Sequence, residues 1–187
     1  MAPPSPSPAR RRYRPIGLAL ALAAGRLGAL TVDELLNEPN LTPKRFANYF
    51  DDFAYEYSGE VQPPEQFLTT RRGDCDDYAI LAGYVLQRKG YQTRLIHVRM
   101  VGRVAHAVCY VTQVHAYVDY NNRHYFINLQ RCGGRIREIA NTVADSFEAN
   151  WTSASEFTYA YAENKKHFGS TVVKTDDPAR DPDLIHP

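Results

Sequence analysis

The stretch that decides the fold is "RRGDCDDYAIL", residues 71–81, in which a cysteine among three aspartates precedes an apolar run. Asp74 is a favourable N-cap residue, so Cys75 is predicted to occupy the first position of a helix. Apolar residues continue at helical spacing, and Gly90 is typical of a residue that ends a helix. We therefore expect a helix from about Cys75 to Lys89.

The position of this cysteine favours chemistry at sulphur. The free N–H groups and the positive end of the macrodipole at a helix start favour a thiolate over a thiol. Gly73 permits a tight turn or the close approach of a substrate carbonyl beside Cys75. Asp76 and Asp77 stabilise the first turn but disfavour a thiolate, so the sequence predicts a cationic partner for the sulphur.

His106 is the predicted partner of Cys75. It lies in "VAHAVCYV", residues 104–111, whose alternation predicts a strand. The small side chains of Ala105 and Ala107 leave room beside the imidazole ring. A pair of thiolate and imidazolium needs an acceptor on the second ring nitrogen, which a neighbouring strand supplies most directly.

Two residues are candidates for that acceptor. Asp119 is in reach if residues 113–115 form the turn between strands. Asn128 is the candidate if the hairpin closes instead at residues 121–123, "NNR". The residues alone leave both alternatives open.

The remaining pattern predicts helices first and antiparallel strands after them, which is an α+β domain. An amphipathic helix is expected over residues 42–57, with Thr42 as N-cap and proline at its first position. Residues 58–68 predict a loop leading into a short turn. Strands are then expected at 92–101, 104–113, 116–120, 124–129 and 157–161, with a helix at 136–147.

Three of these stretches together resemble a known family. "RRGDCDDYAILAGYVLQRKGY" (71–91), "AHAVCYV" (105–111) and "AYVDYNN" (116–122) are similar to the transglutaminase-like superfamily, in particular its bacterial cysteine peptidases. The resemblance covers roughly residues 42–128. It implies a papain-like α+β fold in which the nucleophile begins a helix that packs on an antiparallel sheet.

The resemblance also implies roles. Cys75 resembles the nucleophile, His106 the general base and Asp119 the orienting acid of the family. The implied reaction is acyl transfer through a thioester on peptide or carboxamide substrates, with no metal or cofactor. The backbone N–H of Cys75 and one further donor would stabilise the oxyanion.

Composition limits the other classes of function. The 187 residues, 44% of them hydrophobic, predict one packed domain. A formal net charge of +1 gives no support to a nucleic-acid partner. Three cysteines are an odd number, which argues against a disulfide scaffold; we expect Cys109 to be buried packing and Cys132 to lie in a turn.

The two ends of the chain are expected to lie outside the domain. Basic residues followed by the apolar segment 16–25 predict an export signal over residues 1–29, ending at Ala23 or Ala29. We therefore expect a periplasmic or secreted protein, or a cytoplasmic one if this leader is instead a first helix. The apolar segment is shorter than the roughly 20 residues of a membrane span. Residues 175–187 predict a disordered tail, which leaves 30–174 as the domain.

Other readings of the same residues compete with catalysis. His97, His106, His115 and His124 recur nine residues apart, but an odd spacing along strands reverses the face at each step, and no paired zinc ligands occur. A non-catalytic binding module on the same fold remains the main alternative. Among catalytic outcomes we expect hydrolysis rather than cross-linking, because residues 30–174 leave no room for a domain that positions an acceptor protein.

Overall fold

A computed structural model describes residues 30–119 and 129–175 of the chain. The described residues form helices and strands in this order: α1 (Val32–Asn37), α2 (Pro43–Asn48), β1 (Ala54–Tyr55), α3 (Pro64–Thr70), β2 (Arg72–Gly73), α4 (Cys75–Arg88), β3 (Thr93–Met100), β4 (His106–Val111), β5 (Ala116–Val118), β6 (Leu129–Arg131), α5 (Ile136–Ser146), β7 (Trp151–Ala160) and β8 (Lys165–Val173). The predicted mixture of helices and strands is confirmed.

The core of the fold is a six-stranded sheet in the order β6-β5-β4-β3-β7-β8. Every neighbouring pair in it is antiparallel. Strand β4 is buried along its whole length, because α4 packs against one face of the sheet and α5 against the other. Successive residues of β4 therefore enter two different cores.

The two cores divide the strand residues as the predicted alternation requires. Ala107, Cys109 and Val111 pack with the helices on the α4 side of the sheet. Val108 and Tyr110 pack on the α5 side. The α4 side also holds a cluster of aromatic rings, whose members contact one another at centroid distances of 4.8–5.9 Å: Phe46, Phe50, Phe53, Phe67 and Tyr78.

Helix α4 matches its predicted boundaries. It begins at Cys75 with Asp74 as N-cap and ends at Arg88, and Gly90 has a φ of +87°. The predicted helix over residues 136–147 is found as α5, ending one residue earlier at Ser146. The predicted strands 92–101 and 104–113 are found as β3 and β4. The predicted "NNR" turn lies outside the described residues.

The helix predicted over residues 42–57 was too long. The Thr42 side chain does accept a hydrogen bond from the Arg45 N–H, but α2 ends at Asn48. Phe53 lies beyond the helix yet is buried, so the helical spacing of aromatic residues reflects a shared core and not one continuous helix. The next residues pair as β1 with β2.

Helix α3 and strand β8 are among the elements that were missed or underestimated in the sequence. Helix α3 occupies part of the predicted loop, because the second proline of "QPPEQFL" stands at its first helical position. Strand β8 was not predicted; it is exposed along nearly all its length and so lacks an apolar alternation. No helix in the described ranges is long and apolar enough to cross a membrane.

The turn before Cys75 is fixed by a close contact at Gly73. A Cβ atom there would lie 2.5 Å from Asp77 Oδ2 and 2.7 Å from the Phe67 ring. The sequence predicts a tight turn or the approach of a substrate carbonyl at this glycine. In the structure, the Asp77 carboxylate and the Phe67 ring take up the space that a side chain at Gly73 would need.

We expect Gly73→Ala to destabilise the protein by about 1–3 kcal/mol, the usual cost of forcing extra atoms into a packed site. Gly59→Ala is the matched control, because a Cβ at Gly59 meets no atom within 4 Å. Urea unfolding of both variants measures the difference. Equal midpoints for the two variants would contradict the steric role of Gly73.

Candidate functional site

Cys75 is held at the start of α4 by a reciprocal capping box. Asp74 Oδ1 accepts a hydrogen bond from the Asp76 N–H at 2.9 Å, and Asp77 Oδ2 accepts one from the Asp74 N–H at 3.0 Å. As the first helical residue, Cys75 has a backbone N–H without a partner inside the helix. The cap therefore fixes both the sulphur and that N–H in the same turn.

The same two carboxylates anchor the preceding loop. Asp74 Oδ2 accepts a hydrogen bond from the Ser58 N–H at 3.2 Å, and Asp77 Oδ1 accepts one from the Gln62 N–H at 2.6 Å. Burial raises the pKa of Asp77 to about 6 and raises the pKa of Asp74, although these backbone hydrogen bonds oppose the shift. The loop beside the thiol is thus tied to the helix start.

His106 lies between Cys75 and Asp119. Its Nε2 atom is 2.8 Å from Asp119 Oδ1, and both side chains are buried, at 3% and 0% exposure. The ring also hydrogen-bonds the Cys75 side chain and contacts the edge of Phe147, with centroids 4.8 Å apart. Burial disfavours the imidazolium, but the charge of Asp119, its hydrogen bond and Cys75 together raise the pKa of His106 well above its usual value.

The turn after β4 decides which acceptor reaches His106. Residues Thr112–Val114 form a 3₁₀ turn, and His115 has a left-handed conformation with a φ of +47°. Strand β5 therefore returns at once along β4, and Asp119 follows it directly. This is the first of the two alternatives left open by the sequence. Asn128, the other candidate, lies outside the described residues.

The Cys75 side chain borders a cavity of about 190 Å³. The surrounding walls come from the loop 55–59, from residues 104–105 and from the sheet, where His97 and Lys166 contribute. Burial lowers the pKa of His97 to about 4, and the nearby charge of Lys166 adds to the effect. His97 is therefore a neutral wall residue at neutral pH and packs edge-on against Phe168, with centroids 5.4 Å apart.

Lys166 is a site residue that sequence reasoning missed. Its Nζ atom donates a hydrogen bond to Asp76 Oδ2 at 2.5 Å, across 90 positions of the chain. Both side chains are only about one-fifth exposed. The pair neutralises one of the acidic groups that follow Cys75. No local pattern could have revealed it, because β8 brings the lysine to the site from the far end of the domain.

The other two cysteines are not placed for chemistry. Burial raises the pKa of Cys109 to about 12, and burial with the nearby Glu138 charge raises the pKa of Cys132 to about 11. All three thiols are free. Cys109 is buried in the core, as predicted, and Cys132 is half-buried beside α5.

Oxygen and sulphur ligands do approach one another at the helix start. Atoms of Asp74, Cys75 and Asp76 lie within 4.8 Å of each other, the spacing of a metal site. The two carboxylates, however, already accept hydrogen bonds from backbone N–H groups and from Lys166. These contacts fit a capped turn, and we assign no metal to it.

The arrangement aligns three groups in the order thiol, imidazole and carboxylate. An imidazole in this position exchanges protons with the sulphur, while the carboxylate fixes the orientation of the ring and stabilises its charged form. The site lies at the end of the sheet, where α4 and β4 begin. All three residues are buried, with Cys75 at 7% exposure, and of the three only Cys75 lines the cavity.

We expect Asp119→Asn to lower the pKa of His106, because the change removes the buried negative charge that favours the imidazolium. NMR titration of ¹³C-labelled histidine in both proteins measures the shift. The exposed His167 ring serves as the internal control. An unchanged pKa of His106 would show that Asp119 does not set its charge.

The pKa of Asp77 predicts a pH dependence of stability. Its value rises from 3.8 to about 6 on folding, so the folded protein binds a proton that the unfolded chain releases between those pH values. The contribution of Asp77 to the free energy of unfolding is therefore present at low pH and lost as the pH rises through about 6. Asp77→Asn, which keeps an oxygen acceptor, should lack this loss. The free energy of unfolding of both proteins is measured by urea unfolding from pH 4 to 7. The same dependence on pH in the wild-type protein and in Asp77→Asn would contradict the expectation.

Comparison with known proteins shows the family of the chain. A family model described as the transglutaminase-like superfamily matches residues 32–130, which is more than half of the chain. A search of curated proteins found no match. The matched range includes Cys75, His106 and Asp119. The chain belongs to the transglutaminase-like superfamily.

Proposed function

We propose that the protein is a cysteine-dependent acyl-transfer enzyme that hydrolyses peptide or carboxamide bonds. The observation that carries the proposal is the buried His106, which is held between the Cys75 thiol and the Asp119 carboxylate. Membership in a superfamily that includes cysteine peptidases and acyltransferases supports it. A binding role alone gives no reason to bury an imidazole against a carboxylate beside a thiol that lines a cavity.

The proposed reaction begins with attack by the Cys75 thiolate on the substrate carbonyl carbon. The new C–S bond gives a tetrahedral intermediate, whose oxyanion lies near the Cys75 N–H at the helix start. The C–N bond then breaks, and His106 gives its proton to the departing amine. The product of this half-reaction is a thioester on Cys75.

The second half-reaction releases the acyl group. Water attacks the thioester carbonyl and passes a proton to His106, and the C–S bond breaks to give a carboxylic acid and to restore the Cys75 thiolate beside the His106 imidazolium. Asp119 keeps the imidazole in one orientation throughout both steps. An amine in place of water would give transamidation. Of these two reactions we propose hydrolysis.

The place of action is a further part of the proposal. The basic and apolar leader of residues 1–29 supports export to the periplasm or the medium. The absence of disulfides among the three cysteines is compatible with either compartment. N-terminal sequencing of the mature protein would show whether cleavage follows Ala23 or Ala29.

Alkylation by iodoacetamide at pH 6 tests the proposed pair of thiolate and imidazolium. Ordinary thiols, with pKa values near 8.5, react slowly at this pH. We expect selective modification of Cys75, found by peptide mapping, with little at Cys109 or Cys132. His106→Ala should slow the reaction of Cys75 by at least about tenfold, because the cation that stabilises the thiolate is lost.

Cys109 provides the folding control in the same experiment. Because it is fully buried, its modification would report that a variant has unfolded. A Cys75 that reacts no faster than a small-molecule thiol in the wild-type protein would overturn the catalytic proposal. It would favour the alternative of a non-catalytic binding module.

Turnover is tested separately with a mixed peptide library and mass spectrometry. We expect cleaved or deamidated products from the wild-type protein and none from Cys75→Ala. Addition of hydroxylamine would divert the thioester to a hydroxamate and so report the acyl intermediate.

A further inference from the structure

We infer that a cavity between α4 and β7 binds an apolar or aromatic side chain of the substrate, about four residues from the scissile bond on its acyl side. This inference rests on the proposed function, since it names the substrate class of the same site. It is carried by the position, lining and connection of the cavity, which we call the aromatic cavity. Its walls include Gly83, Tyr84, Leu95, Phe157, Tyr159 and Tyr161.

The aromatic cavity has the size and chemistry of a side-chain pocket. Its volume is about 300 Å³, at the lower end of ligand sites in proteins. Three tyrosine rings and Phe157 surround it, and Gly83 leaves the α4 wall without a side chain. A Cβ at Gly83 would meet Leu95 Cδ2 at 3.0 Å, so α4 packs closely on β3 at this wall of the cavity.

The two charged residues that line the aromatic cavity are paired with each other. Arg94 and Glu156, which also border it, form an ion pair at 3.0 Å, and the Arg94 guanidinium donates a further hydrogen bond to the Gly134 carbonyl. Within the lining, no charged group is left over for a substrate carboxylate or ammonium. An apolar ring gains most from such a site, whereas an acidic side chain would lose hydration without compensation.

Shared wall residues relate the aromatic cavity to the thiol through one intervening cavity. The cavity beside Cys75 and a neighbouring one of about 320 Å³ share the Asp74, Asp76 and Lys166 side chains as walls. That neighbouring cavity shares Tyr159 with the aromatic cavity. The Asp76–Lys166 ion pair thus lies along the path from the sulphur to the aromatic cavity.

Helix geometry gives the distance between the thiol and the aromatic cavity along α4. Cys75 and Gly83 are on the same helix, eight positions apart, which corresponds to about 12 Å along its axis. An extended peptide advances about 3.3 Å per residue, so it covers this distance in about four residues. A substrate whose carbonyl lies at Cys75 would therefore place its fourth residue at the aromatic cavity.

The direction of the substrate follows from the position of His106. The leaving amine must lie beside the imidazole that protonates it, and His106 is on β4. In the strand order β4-β3-β7-β8, the aromatic cavity lies beyond β4, over β3 and β7, and the residues that relate it to the thiol include Lys166 of β8. The segment that occupies it is therefore the acyl part of the substrate, on the N-terminal side of the scissile bond.

Peptidyl chloromethyl ketones of the form acetyl-Xaa-Ala-Ala-Ala provide the test, with Phe, Ala or Asp as Xaa. Their rates of Cys75 modification are compared with that of iodoacetamide, which needs no peptide contact. We expect the Phe probe to react about tenfold faster than the Ala probe and the Asp probe to be slowest. Moving Phe to the second position from the ketone should remove most of the gain.

Two variants locate the preference. Tyr84→Ala removes a wall of the aromatic cavity, so it should reduce the ratio of Phe to Ala rates toward one. Tyr84→Phe keeps the ring and should keep the ratio. Every rate is divided by the iodoacetamide rate of the same variant, so a general change at Cys75 cancels.

The outcomes separate the two proposals. If iodoacetamide does not select Cys75 in the wild-type protein, the proposed function itself fails. If it does, but the three peptide probes react equally, the aromatic cavity is not a substrate site. A preference for Phe that survives Tyr84→Ala would also overturn the inference.

Discussion

The rest of the site depends on one constraint, the position of the Asp77 carboxylate under the turn that precedes α4. It accepts hydrogen bonds from the backbone of Asp74 and of Gln62, and it occupies the space that a side chain at Gly73 would need. One buried group thus ties together the loop, the turn and the first turn of the helix. Burial of this carboxylate is costly, as its raised pKa shows, and the hydrogen bonds offset part of the cost.

The sheet supplies the second half of the site. Because α4 and α5 cover its two faces, β4 is buried throughout, and its first residue enters an environment with little water. An imidazole there would lose its charge unless a partner compensated for the lost hydration. Asp119, brought back by a short turn, is that partner. The charge state of His106 is therefore a consequence of sheet topology as much as of local sequence.

Sequence reasoning was most successful where the determining interactions are local. The N-cap at Asp74, the start of α4 at Cys75 and its end before Gly90 depend on residues a few positions apart. The choice between Asp119 and Asn128 needed the turn conformation at residues 112–115, which has no glycine or proline to mark it.

Contacts between distant parts of the chain could not be predicted. Lys166 reaches Asp76 from β8, an exposed strand whose sequence shows no apolar alternation. The aromatic residues after α2 have the spacing of a helix, but they pack in a core that several elements form. Such contacts arise from packing, which a single sequence does not display. The catalytic roles of Cys75, His106 and Asp119 themselves stay predictions.

The edge position of β8 has a consequence for motion. His106 begins the inner strand β4, and Asp119 directly follows the inner strand β5; inner strands open only in rare, large unfolding events. Among the described strands, β8 has a neighbour on one side alone, and such an edge strand separates at a lower free energy. Lys166 and Phe168 are on that edge strand. The wall that β8 contributes to the cavity beside Cys75 can therefore open locally while the His106 imidazole and the Asp119 carboxylate stay in place. Amide hydrogens of β8 should exchange with solvent sooner than those of β4. A molecule bound in the cavity beside Cys75 would slow the exchange of the β8 amides.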